Sequence, residues 1–482
     1  MVKIKKTMKH GKLLLVVLIN VGLFYSCVPT KDLKEVNKNL PTRYDNLVAD
    51  STNSAVLKWK DFFKDENLTK LIDTALANNQ ELRIMMQQID VAHNEVKARK
   101  GEYLPFVNYG VSAEVEKVGE YTRDGAVEQN LNMKDGEEFP EPLTDYSAGL
   151  FATWELDVWK KLRNSKKAAA LEYLSTIEGK NFMVTRLIAE IADSYYELIA
   201  LDNQLAFIEQ NLDLQGNALK MVRLQKEAAR ATELAVRRFE AEVLKNQSHK
   251  FEVQQEIVEI ENKLNFLIGR QPQSIARNSE GFIETQMDTI YAGLPSQLLL
   301  NRPDIRQAEY ELEAAKLNIK VARANFYPSI GLKAGVGLQA FKAKYLTETP
   351  ESIIYSAVGD IVGPLINRNA IKANYNTANS KQIQAVYEYE KAILNGYIEV
   401  VNQLSKMENL KQSYDLKEHQ VKALTESIDL STRLFQSARI EYIEVLLTQR
   451  EALESKMELV ETKKDQLMAR INIYQALGGG WN

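Results

Sequence analysis

Two long stretches of this 482-residue chain contain no proline, and this absence constrains the fold more than any other feature. None of the eleven prolines lies within residues 143–271 or after residue 364. Proline removes a helical hydrogen bond and clashes with the preceding turn, so both stretches can form uninterrupted helices. Apolar residues recur at helical spacing in the first stretch: Val184, Leu187, Ile188, Ile191, Tyr195, Leu198 and Ile199. A helix from roughly Lys160 to Ala228 would be about 100 Å long, which indicates a coiled coil or a helical array.

The two halves of the chain are copies of one unit. Pro105 matches Pro328 at an offset of 223 residues, whereas Leu156 matches Leu365 at an offset of 209. The difference of 14 residues must therefore lie between Pro105 and Leu156, and the acidic stretch Gly119–Thr144 is the obvious place. One insertion in a loop, with the rest in register, is typical of a duplicated structural unit. We predict repeats at residues 59–270 and 290–478.

Each repeat also contains a pair of short segments in which apolar and polar residues alternate. The alternation predicts strands at about 105–117, 147–157, 328–339 and 354–363, the last mainly by analogy with its partner. Long helices are predicted at about 160–268 and 368–477. Segments of about ten residues with one apolar and one polar face are typical of outer-membrane strands. A soluble sheet that packs one face on helices is the alternative.

The N-terminus has the parts of a secretory signal. The basic stretch Met1–Lys12 precedes the apolar run Leu13–Phe24, so residues 1–26 are interpreted as a signal peptide. The run ends just before Cys27, the only cysteine, in a context that resembles the lipobox of bacterial lipoproteins. Cys27 is therefore expected to carry lipid chains, with residues 27–58 as an anchored linker. A buried thiol or an uncleaved anchor is the alternative interpretation.

Four strands in one chain cannot close a barrel. Open sheet edges in lipid would leave backbone groups without hydrogen bonds, so several copies must pool their strands. Three copies would supply 12 strands, enough for a barrel with a water-filled interior. Each long helix also needs neighbouring helices to bury its apolar stripe, so the helices of several copies would together form a tube. The expected fold is mainly α, with four strands per chain contributed to a trimeric membrane β-barrel and an α-barrel in the periplasm.

The sequence offers no set of residues for catalysis. The four histidines are scattered and there is one cysteine, so no metal-ligand set is evident, and no phosphate-binding loop is found. Removing residues 1–26 leaves 56 of the 61 basic residues against 65 acidic ones, a net charge of −9. An acidic protein is a poor nucleic-acid binder. We therefore expect no enzyme activity, no cofactor, no metal and no nucleic-acid partner.

Several stretches resemble the TolC-like outer-membrane factors, specifically the lipid-anchored NodT branch used by tripartite drug exporters. The stretches that carry the resemblance are Trp59–Ile72, Ala75–Arg83, Gly293–Ser296, Asn301–Arg306 (Asn-Arg-Pro-Asp-Ile-Arg), Ala322–Ser329 and Tyr474–Trp481. The resemblance implies a homotrimer in the outer membrane that extends into the periplasm. It also implies two partners, a periplasmic adaptor protein and an inner-membrane pump of the RND type. The exit duct of a type I protein secretion system and a lipid-tethered periplasmic scaffold remain alternatives.

The resemblance also assigns candidate functional residues at the periplasmic end. Two helix-to-helix turns match the family's adaptor-docking tips, through Ala229, Thr232, Glu233, Ala438 and Tyr442. The family usually has glycine where Ala229 and Ala438 stand, so this chain departs from the family pattern at both tips. Glu444 and Arg450 match residues placed near the closed aperture of relatives. Ordinary charges on a helix surface are the alternative for both.

Overall fold

A computed structural model describes residues 29–44, 51–366, 368–437 and 439–481. The predicted signal peptide, Cys27 and Ala438 lie outside these residues. The described chain forms two compact units, and each contains segments from both repeats. The first unit comprises residues 29–35, Val91–Tyr173 and Tyr310–Val386, and the second comprises the remainder.

The helices and strands alternate in two similar series. The helices are α1 (Trp59–Phe62), α2 (Glu66–Asn78), α3 (Gln80–Glu102), α4 (Arg123–Asn130), α5 (Lys161–Glu227), α6 (Glu233–Ile268), α7 (Leu298–Asn301), α8 (Pro303–Ala324), α9 (Asn369–Gln436) and α10 (Tyr442–Ala476). The strands are β1 (Phe106–Glu116), β2 (Asn132–Lys134), β3 (Glu137–Glu138), β4 (Leu143–Leu156), β5 (Ser329–Ala340) and β6 (Ile353–Val362). The predicted fold class is confirmed, with long helices and four long strands in an internally duplicated chain.

The four long strands form one antiparallel sheet in the order β1-β4-β5-β6. The two repeats meet inside this sheet, because β4 pairs with β5 along its length, from Tyr146↔Ala340 to Leu156↔Ile330. Strand β4 begins four residues before the alternation predicts, since its ladder with β1 continues to the pair Glu116↔Leu143. The small hairpin of β2 and β3 lies in the connection between β1 and β4.

The long helices contain the predicted stripe. Helix α5 has 67 residues and α9 has 68, and each runs without interruption. In α5, Leu187, Ile191 and Tyr195 are buried in the main core of the second unit. Helix α6 ends at Gly269, whose φ of +75° suits glycine, and a β-carbon there would lie 2.7 Å from a backbone oxygen. Among the residues described, the helices include none with the length and apolar character that a membrane span requires.

The segment of residues 29–44, here called the N-terminal strap, lies against helices from the second repeat. In the first unit, the backbone of Lys34 exchanges two hydrogen bonds with the Gln382 side chain, at 2.9 and 3.3 Å. In the second unit, the amide of Asn37 donates to Glu390 at 2.9 Å, and Lys38 pairs with Glu309 at 2.8 Å. The strap therefore has no regular structure of its own and is held by side chains of distant residues.

Candidate functional site

One face of the four-stranded sheet is apolar from edge to edge. The pairings place Tyr109, Leu150, Val336 and Tyr355 in one row across the four strands. All four side chains are exposed, and the two tyrosines on the edge strands are each 85% exposed. A large exposed apolar surface marks a region that contacts protein or lipid. This face of the sheet is the first candidate functional surface, and we call it the apolar sheet face.

The opposite face of the same sheet is more polar, although Phe151 and Val358 also lie on it. One row there contains Ser112, Ser147 and Gln339, with the two serine hydroxyls 2.7 Å apart. A second row brings Asp360 beside Gly331, and Asp360 pairs with Lys333 at 3.2 Å. Polar groups on one face and large apolar groups on the other are the pattern of a strand between lipid and a water-filled interior.

The first predicted tip is the turn between α5 and α6. Ala229 occupies the left-handed region with φ of +55°, where family members usually have glycine. The amide of Arg230 donates to the Gln225 carbonyl at 2.7 Å and closes the end of α5. The Thr232 hydroxyl accepts the amide of Ala235 at 3.2 Å and caps α6. The departure at Ala229 therefore leaves the turn formed but places a β-carbon in an unfavourable conformation.

We expect Ala229→Gly to stabilise the first tip, because glycine adopts a positive φ without steric cost. The gain should be about 1 kcal/mol, so amide exchange at residues 228–232 should slow about fivefold. Hydrogen–deuterium exchange of the detergent-solubilised protein measures this directly. Ala228→Gly is the matched control, and it should speed exchange, since glycine there only adds freedom to the unfolded turn. Equal effects of the two substitutions would contradict the prediction.

Glu233 lies at the start of α6 and joins the tip to its two flanking helices. Its carboxylate pairs with Lys226 at the end of α5 and with Arg237 at 2.8 Å. The hydrogen bond from Lys226 lowers the pKa of Glu233 from its ordinary value. Glu233 is therefore charged and held in place, on a surface open to solvent.

The second tip, between α9 and α10, packs against the first. The amide of Arg439 donates to the Leu434 carbonyl at 2.9 Å, in the same pattern as at the first tip. Tyr442 begins α10 and its ring lies 6.4 Å from that of Phe239. Buried residues from both tips form one small core: Val222, Ala235, Val236, Phe239 and Leu446. The structure thus brings Thr232, Glu233 and Tyr442 into one region of the second unit.

The two predicted aperture residues lie on α10 just beyond the second tip. Glu444 and Arg450 are both exposed, while Val445 and Leu446 between them are buried. Within the described part of the chain, neither charged side chain forms an ion pair. Glu444 is in the first turn of α10, where any carboxylate is favoured by the exposed amide groups. Their exposure is compatible with an aperture and with an ordinary helix surface.

No role was predicted for Arg302, although it lies in the stretch Asn301–Arg306, and the structure places this buried residue at the centre of a polar network. Its side chain is 4% exposed and donates to both carboxylate oxygens of Asp304, at 2.7 and 3.0 Å. It also donates to Glu399 at 2.7 Å and to the carbonyl of Ala476, at the end of α10, at 2.8 Å. Only Asp304 is near in sequence, so spacing alone could not reveal the other partners.

The C-terminal residues dock on the same region of the second unit. Gly478 has φ of +91°, and a β-carbon there would lie 2.5 Å from the Asn301 carbonyl oxygen. The Trp481 indole donates to that carbonyl at 3.2 Å, and the guanidinium of Arg306 lies 5.7 Å from the indole ring. Two of the stretches that carried the resemblance, Asn301–Arg306 and Tyr474–Trp481, are therefore in contact.

Comparisons with known proteins agree with this architecture. The family profile described as outer membrane efflux protein matches residues 71–270 and 294–479. The cation efflux system protein CusC of Escherichia coli is 28% identical over 91% of this chain and 91% of its own length. The solvent efflux pump outer membrane protein SrpC of Pseudomonas putida is 29% identical, over 90% and 89%.

A third relative and a solved structure extend the comparison. The pyoverdine export outer membrane protein OpmQ of Pseudomonas aeruginosa is 27% identical, over 92% of this chain and 91% of its own. A crystal structure of CusC, in a study of transmembrane channel formation, superposes with a TM-score of 0.80. It is 25% identical and covers 94% of this chain and all of that one.

Proposed function

The chain belongs to the outer membrane efflux protein family, and from this premise we propose that three copies form a passive conduit for small molecules. The conduit would accept them from an inner-membrane pump and a periplasmic adaptor and release them outside the cell. The observation that carries the proposal is the apolar sheet face, whose row from Tyr109 to Tyr355 is exposed across all four strands. Lipid would cover that face, and the polar face would line the interior.

Three copies are proposed because neither the sheet nor the helices can be complete in one chain. Strands β1 and β6 are the edges of the sheet and leave backbone groups open, which lipid cannot satisfy. Exposed apolar residues also recur every seven positions along α6, at Leu244, Phe251 and Val258. Residues seven positions apart lie on one face of a helix, and this exposed apolar stripe supports packing against a helix of another copy.

Partners are proposed at the helical end. The tip residues Thr232, Glu233 and Tyr442, with Ala229 and Ala438, are proposed to dock the adaptor, and their shared core supports a single contact region. Lipid chains on Cys27 are proposed to hold the N-terminus at the outer membrane. The relatives are named for exporting cations, solvents and a pyoverdine, and similar chains therefore serve chemically different cargoes. We infer that this chain does not select the exported compound and performs no catalysis.

Planar-bilayer conductance of the detergent-extracted protein, with its mass from native gels, tests the proposal. A conduit predicts discrete current steps from a trimer. A monomer that does not conduct, and that stays in solution when Cys27 is replaced, would overturn the proposal in favour of a tethered scaffold. An experiment in cells distinguishes efflux from protein secretion. If the function is efflux, deletion of the gene should sensitise the cell to small toxic compounds and leave secreted proteins unchanged.

Glu444 can be tested in the same bilayers as an aperture residue. We expect Glu444→Ala to change the single-channel conductance by about two- to fivefold, because removing three like charges from a narrow ring changes its electrostatic barrier. Glu454→Ala is the matched control, since Glu454 is exposed on the same helix, ten residues further along. Identical currents from the two variants would assign Glu444 to the helix surface.

A further inference from the structure

The insertion in the first repeat is not explained by the proposed conduit. The connection between β1 and β4 spans residues 117–142, and the one between β5 and β6 spans residues 341–352, which makes the first 14 residues longer. The additional residues form α4 and the β2–β3 hairpin. Helices α3 and α5 are joined to β1 and β4 at one end of the sheet, and both connections lie at the opposite end. In the proposed conduit, this opposite end is the outer mouth.

One carboxylate ties these two connections together. Glu137, in the inserted hairpin, accepts a hydrogen bond from the Tyr345 hydroxyl at 2.5 Å. It also accepts from the ammonium groups of Lys342 at 2.9 Å and Lys344 at 3.5 Å. These donors lower the pKa of Glu137 to about 2, with the Tyr345 hydrogen bond as the largest cause. We call these four residues, together with Lys134, the distal clasp.

A second set of contacts surrounds the same tyrosine, from the hairpin and from the β5–β6 connection. The ammonium of Lys134 lies 4.4 Å from the centre of the Tyr345 ring, and that of Lys344 lies 4.5 Å from it. Lys134 also reaches Glu348 at 3.8 Å. Cation–ring contacts and exposed ion pairs are weak individually, so the number of contacts around Tyr345 and Glu137 matters.

The sheet itself does not require the distal clasp. Strands β4 and β5 are already paired as far as Tyr146↔Ala340. Beyond that pair, the Thr144 hydroxyl still donates to the Phe341 carbonyl at 2.6 Å. The contacts of Glu137 lie past the end of this ladder and act on the connections alone. They therefore restrict the conformational freedom of the long polar connection, which would otherwise sample many positions.

We propose that the distal clasp holds the inserted connection in one position and so prevents it from obstructing the outer mouth of the conduit. This inference rests on the proposed function. A connection of this length that is free at a channel mouth would enter and leave the opening, and each entry would interrupt the current. The second repeat has the shorter connection and supplies the residues that receive the hairpin.

Single-channel recording of Glu137→Gln tests the inference. We expect brief closures to become about fivefold more frequent than in the wild type, since two lysines lose their charged partner. Glu138→Gln is the matched control, because Glu138 is the adjacent, exposed residue of the same hairpin and the charge change is identical. Tyr345→Phe, which removes only the hydroxyl donor, should increase closures to a smaller extent.

Salt supplies an independent test in the wild type. Raising the salt from about 0.1 M to about 1 M shortens the screening length from about 10 Å to about 3 Å and should increase closures in the wild type and in Glu138→Gln. It should have little effect on Glu137→Gln. If wild type conducts and Glu137→Gln closes as rarely as Glu138→Gln, the distal clasp has no such role. If wild type does not conduct at all, the proposed function fails and this inference fails with it.

Discussion

Replacing Arg302 by alanine should lower the stability of the second unit by about 2–4 kcal/mol, because it removes a buried guanidinium that donates hydrogen bonds to two carboxylates and a buried carbonyl. Asp304 would lose both of its hydrogen bonds from the guanidinium, and Glu399 would lose its ion pair. The carbonyl of Ala476 would lose a donor in a buried position, which releases the end of α10. We expect the thermal unfolding midpoint of the detergent-solubilised protein to fall by about 5–10 °C.

Arg323→Ala is the control for this experiment, since Arg323 is exposed near the end of α8 and the lost charge is the same. Its midpoint should change by no more than about 1–2 °C, as expected for a surface substitution. Amide exchange at residues 474–481 should accelerate in Arg302→Ala and stay unchanged in Arg323→Ala. Equal midpoints for the two variants would show that the network around Arg302 contributes little to stability.

Placing a charge on the apolar sheet face should prevent assembly into the membrane. Val111 is at the centre of β1, is 79% exposed, and lies on that face. An arginine facing the middle of the bilayer costs about 2–4 kcal/mol, and a trimer would contain three. We therefore expect Val111→Arg to reduce the folded, membrane-inserted yield at least about tenfold, measured by the heat-dependent mobility of the trimer on gels.

Asn108→Arg provides a matched comparison on the same strand. Asn108 is also exposed but points to the polar face, where an added charge would meet water in the proposed conduit. It should insert with nearly wild-type yield and alter the conductance. A sheet with both faces in water would tolerate both substitutions equally. Equal yields would therefore count against membrane insertion of the sheet.

The main architecture was accessible from the sequence because its causes are local and periodic. The absence of proline from residue 143 to 271 predicts the 67-residue helix α5, and the spacing of Leu187, Ile191 and Tyr195 identifies its buried stripe. Alternation predicts which side chains share a face of a strand, and the pairings then align Tyr109 with Leu150 as one row. Because the second repeat has the same pattern of helices and strands, it supported the same prediction independently.

The parts that could not be predicted depend on residues far apart in the chain or on backbone angles. The network of Arg302 joins residues 97 and 174 positions away, and nothing in its local sequence specifies those partners. The positive φ of Ala229 is imposed by the turn, although the residue itself disfavours it. The insertion in the first repeat was visible as a difference in length, but the three donors to Glu137 belong to the other repeat.

The N-terminal strap has a consequence for the order in which the molecule is built. Its partners Glu309, Gln382 and Glu390 lie between 271 and 353 positions later in the chain. A ribosome makes the strap before the surface that receives it, so the strap cannot dock until residues 309–390 are available. Closing a loop of that size also carries a large entropic cost, and it follows the local formation of helices. This early segment is therefore expected to be fixed late, after the helices that receive it have formed.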